Sequence, residues 1–188
     1  MAERILHNYF RSSSAYRVRI ALNPQRLVPV LSEQGINISQ SLAIIEYLEE
    51  QYPLSALLPE SPADRAYVRQ LSLAMACDIH PLNNLRVLKY ISGPMGQPDQ
   101  VKQAWIEHWT KAGLDALEQE LAGAPQRGRF CFGDTPTMAD CCLVPQLFNA
   151  QRFNIDLAPY PTLRAIDAEC QKLEAFAQAH PARQPDAE

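Results

Sequence analysis

Apolar positions follow two rhythms along this chain, short strand-like runs before residue 53 and longer helical spacings beyond residue 61. Ile5 to Tyr9 reads as a strand, and roughly Ser13 to Leu22 as a helix with Val18 and Leu22 on one face. Asn23-Pro24 breaks that helix. Leu27 to Leu31 is a second apolar run carrying Pro29, Ile36 to Ile38 is a short third, and Gln34-Gly35 between them predicts a hairpin turn. A further helix opens at Ser39 or Gln40 and runs to about Gln51. After the proline-punctuated stretch from Tyr52-Pro53 through Pro59 and Pro62, everything reads helical. Ser61-Pro62-Ala63-Asp64 combines a serine cap, a proline at the first helical position and an acid three residues after the cap. That helix reaches toward Ile91 with an interruption near Pro81. Others start near Pro98, carrying Trp105 and Trp109, at the capping box Thr137-Met138-Ala139-Asp140, and at Pro161, with a short piece over Leu173 to Ala179. The pattern divides the chain into an α/β unit over residues 1–53 and an all-helical unit over 61–188.

Composition narrows the class. Of 188 residues, 47% are hydrophobic and 20% charged, ordinary values for a soluble globular protein. A net charge of −4 without a basic run argues against nucleic acid. No apolar run approaches membrane-spanning length, and the first residues lack the hydrophobic stretch of a signal peptide. Five cysteines, with Cys141 and Cys142 adjacent and no zinc-like Cys/His spacing, predict reduced thiols in the cytoplasm and no metal site.

The candidate chemistry sits in Phe10-Arg11-Ser12-Ser13-Ser14-Ala15-Tyr16-Arg17-Val18-Arg19-Ile20, where a strand gives way to a hydroxyl-rich turn and a helix. A helix start presents unpaired N–H groups and partial positive charge, and so favours an anion such as a thiolate. Taken alone, serines here would simply cap the helix. Gln40-Ser41 opens a second helix, where a backbone N–H and a hydroxyl can bind a carboxylate or, again, only cap. His80 and Asn84 are four apart and share a helix face unless Pro81 disrupts the turn; a His-Pro step followed by two asparagines breaks local helix rules in the way sites do. Arg11 and Arg152 are candidates to grip carboxylates bidentately, whereas Arg86 reads as a solvated charge.

These stretches, with Asn23-Pro24-Gln25, Val28-Pro29, Gln40-Ser41-Leu42-Ala43-Ile44-Ile45-Glu46-Tyr47-Leu48, Asp78 to Leu85, Gly133 to Asp140, and Arg152-Phe153 leading to Pro159-Tyr160-Pro161, run from end to end of the chain. Together they resemble the glutathione transferases, most closely the zeta class that includes maleylacetoacetate isomerase. The resemblance implies an N-terminal thioredoxin-like α/β domain, an all-α C-terminal domain and glutathione as cofactor. By that resemblance Ser12 hydrogen-bonds the glutathione sulfur, with Ser13 and Ser14 behind it. Val28, before a cis Pro29, pairs with the glutathione backbone, Gln40 and Ser41 hold its γ-glutamyl carboxylate, and Gln25 touches the peptide. His80 and Asn84 lie near glutathione and substrate, and Arg11 and Arg152 hold the substrate diacid. Thr137 and Asp140 belong to the helix-capping box of the C-terminal domain, and the tryptophans to core or interface.

The activity implied is glutathione-dependent isomerisation of maleylacetoacetate to fumarylacetoacetate in tyrosine and phenylalanine breakdown, by a homodimer. The rivals are a maleylpyruvate isomerase of the gentisate route, which Arg127-Gly128-Arg129-Phe130 suits equally well, and a general conjugating or dehalogenating transferase. A glutathione-binding module without catalysis is the non-enzyme reading. Leu85, where an arginine could read a further carboxylate, favours maleylacetoacetate.

One departure stands out. The family's N-terminal domain runs strand–helix–strand–helix before its last two strands and helix. Here the first helix ends near residue 22 and Asn23-Pro24-Gln25 follows at once, so a parallel crossover of a dozen or more residues has no room. About thirty residues, the second strand and helix, are absent. We read them as omitted from the sequence, a reading that an intact mass equal to 21.1 kDa would overturn in favour of a deletion that bares a sheet edge.

Overall fold

The computed structural model describes residues 4–7, 12–21, 29–53, 56–185 and 187. Strand β1 (Arg4–His7) leads to helix α1 (Ser13–Ala21), and β2 (Val30–Glu33) and β3 (Ile36–Ser39) form a hairpin before helix α2 (Ser41–Gln51). The hairpin turn is Gln34-Gly35, both at positive φ (50° and 81°), the geometry whose twist matches paired strands. Pairing within this sheet is antiparallel, in the order β1-β2-β3. Leu6, Leu31 and Ile38 fall in register across the three strands and pack with Val18, Ile44 and Leu48 of the two helices. Among the described residues no strand flanks β1 on its other side, as the short span after α1 requires; Ile5 there is 39% exposed.

Helix α3 (Pro62–Leu73) starts at the Ser61 cap, whose Oγ accepts from Asp64 N at 3.3 Å. Its continuation is not one interrupted α-helix. The chain widens to a π-helix over Ala74–Ile79, tightens to a 3₁₀ turn over His80–Asn83, and restarts as α4 (Leu85–Ser92). Proline at the second position of the 3₁₀ turn has no N–H to continue the α ladder, and Asn84 takes an extended conformation as the cap of α4. Thus His80 and Asn84 do not share a helix face. Helix α5 (Asp99–Gly123), α6 (Met138–Arg152), α7 (Pro161–Cys170) and α8 (Glu174–Ala179) complete the helical half, with a 3₁₀ turn over Pro181–Arg183.

Helix α6 is buried over most of its length and forms the centre of the larger core. The Asp140 carboxylate fixes its start, accepting from Thr137 N (2.7 Å), Thr137 Oγ1 (2.9 Å) and Cys131 N (2.8 Å). Trp105 donates to Leu82 O at 2.9 Å and packs at 5.7 Å from Trp109. The two halves share one interior, because α1 packs against α6 and Tyr16, Ile20 and Ile45 join the helical core. Glu49 of α2 accepts from Leu57 N and Leu58 N, Arg69 of α3 forks onto Glu46 at 2.7 and 3.2 Å, and Arg19 donates to Ala179 O at 3.1 Å.

Candidate active site

Sheet register gathers the predicted pieces at one end. His7 at the end of β1 pairs with Val30 at the start of β2, which pairs with Ser39 at the end of β3. The chain leaving β1 toward Ser12, the Pro29 that enters β2, and the Gln40-Ser41 that leaves β3 therefore emerge side by side. Helix α2 starts directly from this end, so its free N–H groups serve the region to which β1 also leads.

Ser12 is the cap of α1: its C=O accepts from Tyr16 N at 2.8 Å and its Oγ from Ala15 N at 3.2 Å. Capping uses only lone pairs of Ser12 Oγ, so its O–H remains a donor. The structural and chemical roles of Ser12 are thus compatible. Ser13 is buried and Ser14 half-buried. Gln40, not Ser41, is the cap of α2; its φ of 73° is a left-handed conformation rarely adopted by a non-glycine residue, and its side chain makes no cap bond. Ser41 sits buried at the first helical position. Plain capping does not account for it.

From the helical half, His80 reaches the serine turn. Its Nε2 lies 3.2 Å from Ser14 Oγ. Burial, reinforced by the Arg17 charge, pushes its imidazole down to about 3, so the ring is neutral at physiological pH. Nδ1 is buried without a hydrogen-bond partner among the described residues. An unpaired buried N–H costs more than an unpaired lone pair, and a lone pair suits a neighbouring cation. We therefore assign the proton to Nε2, which donates to Ser14 Oγ and leaves the Ser14 hydroxyl proton free for a ligand.

The remaining predicted residues are scattered. Asn84 caps α4, its Oδ1 accepting from Arg86 N at 3.1 Å, and Leu85 beside it is 63% exposed. Arg152 ends α6, exposed, with its guanidinium 5.0 Å from the Phe153 ring centre. Pro29 is buried. Arg11, Gln25 and Val28 lie outside the described residues. Arg17, which the sequence pattern does not single out, proves wholly buried at 1% exposure beneath the same turn. The only signal for it in the sequence is position: it lies three and four residues after Ser14 and Ser13, on the same side of the helix. The other flank of α1 borders a cleft of about 210 Å³ lined by Tyr16, Phe148, Gln151, Asp167, Gln171 and His180, which contains none of the predicted site residues. No cluster of His, Cys, Asp or Glu among the described residues could hold a metal ion.

Two family models match the chain, a glutathione S-transferase N-terminal domain over residues 5–59 and a glutathione S-transferase C-terminal domain over 99–179. The chain belongs to the glutathione S-transferase family, in its zeta-class, maleylacetoacetate isomerase branch. It is 43% identical to a probable maleylacetoacetate isomerase of Vibrio cholerae, over all of both chains. A solved holo structure of a bacterial zeta-class maleylpyruvate isomerase superposes with a TM-score of 0.93 at 45% identity, covering 97% of this chain and 99% of that one. A maleylacetoacetate isomerase of Anaeromyxobacter dehalogenans, solved with glutathione in its active site, gives a TM-score of 0.89 at 39% identity over 100% and 99% of the two chains. The Vibrio alignment extends over 216 positions against 188 residues here, a shortfall of 28.

Proposed function

We propose that this chain is a glutathione-dependent cis–trans isomerase that converts maleylacetoacetate to fumarylacetoacetate. The observation that carries the reading is the sheet register, which brings the end of β1 that leads to the Ser12–Ser14 turn, Pro29 and Gln40-Ser41 to one end, with serine hydroxyls free to donate. The residues fit glutathione: α1 and α2 both open with polar residues, the left-handed Gln40 makes no side-chain cap bond, and Ser41 is buried at the first helical position. Ser12 would hold the sulfur, Pro29 with Val28 the peptide backbone, Gln40 and Ser41 the γ-glutamyl carboxylate, and Gln25 the remainder of the peptide. Glutathione, when bound, supplies the sulfur nucleophile that opens the substrate's cis double bond to rotation.

The protein's own part is electrostatic and positional. Ser12 donates to the sulfur and, with the α1 N-terminus, favours its anionic form. Neutral His80 orients Ser14, and Asn84 lies just beyond it in the chain. Arg11 and Arg152 hold the carboxylates of the diacid. Maleylpyruvate is the second reading, favoured by the likeness to the maleylpyruvate isomerase. Exposed, apolar Leu85 next to Asn84 supports maleylacetoacetate, the diacid that is longer by one methylene. Assays on both substrates side by side decide between them. Ser12→Ala should lower turnover at least tenfold, about 1.4 kcal/mol of barrier; unchanged turnover would remove Ser12 from the mechanism.

We take residues 1–53 as the glutathione-binding domain and 61–188 as the helical domain, in a cytoplasmic homodimer. Free cysteines and the absence of any membrane-length helix among the described residues agree with the location. Ala63, Ala66, Gln70, Leu73 and Cys77 line an exposed face of α3 and its π-helical extension, a surface on which the helical domain could pair. Sedimentation at twice the intact mass of one chain tests the dimer.

A further inference from the structure

Arg17 carries a full charge into the interior with no carboxylate to answer it among the described residues. It is 1% exposed, and its Nε and Nη2 have no hydrogen-bond partner among the described residues. The titratable groups that bear on it are Cys142 of α6, Cys77 of the π-helix and His80. None of these is a carboxylate. Burial pushes the Cys142 thiol up to about 11, so it is no counter-anion at neutral pH, and His80 is neutral. Leaving a buried charge unpaired costs several kcal/mol, and native proteins rarely retain one without a use.

Its location suggests the use. Four residues of helix separate Arg17 from Ser13, a rise of about 6 Å, and side chains on a helix lean toward the N-terminus. That lean directs the Arg17 stem toward the serine turn, and its charge acts on His80, the ring that touches Ser14. We propose that Arg17 is a positioning residue whose buried charge, added to that of the α1 N-terminus, biases a thiol held at the Ser12–Ser14 turn toward thiolate. The inference rests on the glutathione reading above. A unit charge about 10 Å away at an effective dielectric of about 20 is worth about one pK unit, a tenfold change in thiolate fraction.

The experiment is a pH titration of the ultraviolet thiolate absorbance of glutathione bound to the full chain, for wild type, Arg17→Met, Arg17→Gln and Arg17→Lys. In wild type the bound thiol should ionise below the free one. Met and Gln should raise its midpoint by about one pH unit, while Lys should restore most of the wild-type value, a recovery that a purely packing role would not produce. Two charge-removing variants are included so that a folding failure of one leaves the other to report. A wild-type midpoint retained in a folded Met or Gln variant overturns the inference alone. Absence of bound thiolate in wild type overturns the glutathione reading and the inference with it.

Discussion

Ser14 and His80 meet across 66 positions of sequence, and their contact depends on an imidazole that stays neutral. Because burial first and Arg17 second depress it to about 3, the folded protein refuses a proton that the unfolded chain accepts near 6.5. Between those values the unfolded state binds more protons. This contribution to stability is therefore complete above about pH 6.5 and is lost progressively as pH falls toward 3. Asp140 and Asp167, raised by burial, work in the opposite direction, so one stability curve does not isolate the histidine. The difference between wild type and His80→Gln does. Urea midpoints measured from pH 7 to pH 4 should fall more steeply for wild type, by up to one proton's worth of slope; parallel curves would mean His80 titrates normally. The serine turn and His80 were legible in the sequence as hydroxyls at a helix start and a His-Pro break. Arg17 was not, since a charged residue on a short helix reads as solvated until tertiary packing buries it.

At the scale of elements, the helix starts were legible because their signals are local. Ser61 accepts from Asp64 N, and Asp140 gathers three donors at the start of α6. The stretch Ala74–Asn83 was not, because the apolar spacing continues while the backbone changes from π to 3₁₀. Part of the reason lies on α5. A Cβ on Gly113 would fall inside the Ile79 side chain, at the last residue of the π-helix and next to His80. Gly113 thus lets α5 approach the irregular segment that delivers His80. Gly113→Ala should gain about 1 kcal/mol of helix propensity, yet overpacking a buried, branched side chain costs about 1–3 kcal/mol. The expected net is destabilisation with a loss of turnover larger than the stability change explains, because Ile79 must move and His80 moves with it. A stabilised, fully active Gly113→Ala protein would show that the close approach does not hold His80.

At the scale of the molecule, the N-terminal half depends on the helical half for its stability. Its own core is Leu6, Val18, Leu31, Ile44 and Leu48, too small to stand alone, so it leans on the helical half through α1–α6 packing and the Glu49, Arg69 and Arg19 bonds. The strand–helix unit that the family places after α1 would pair with the bare side of β1 and cover the sheet face that holds Ile5 and Val30. Without that unit β1 has one strand partner among the described residues and an open edge. For a chain whose intact mass is 21.1 kDa, the 28 aligned positions that it lacks relative to its Vibrio relative give the length to restore. Inserting the relative's segment after residue 22 should raise the melting temperature by several degrees, as one or two kcal/mol does in a protein of this size. Amide exchange in β1 should slow more than in β2, which already has partners on both sides. The serine turn follows directly from β1, so a firmer β1 should also tighten glutathione binding. Equal melting temperatures and equal β1 exchange in the two chains would mean that the three-stranded sheet is already a complete platform for the site.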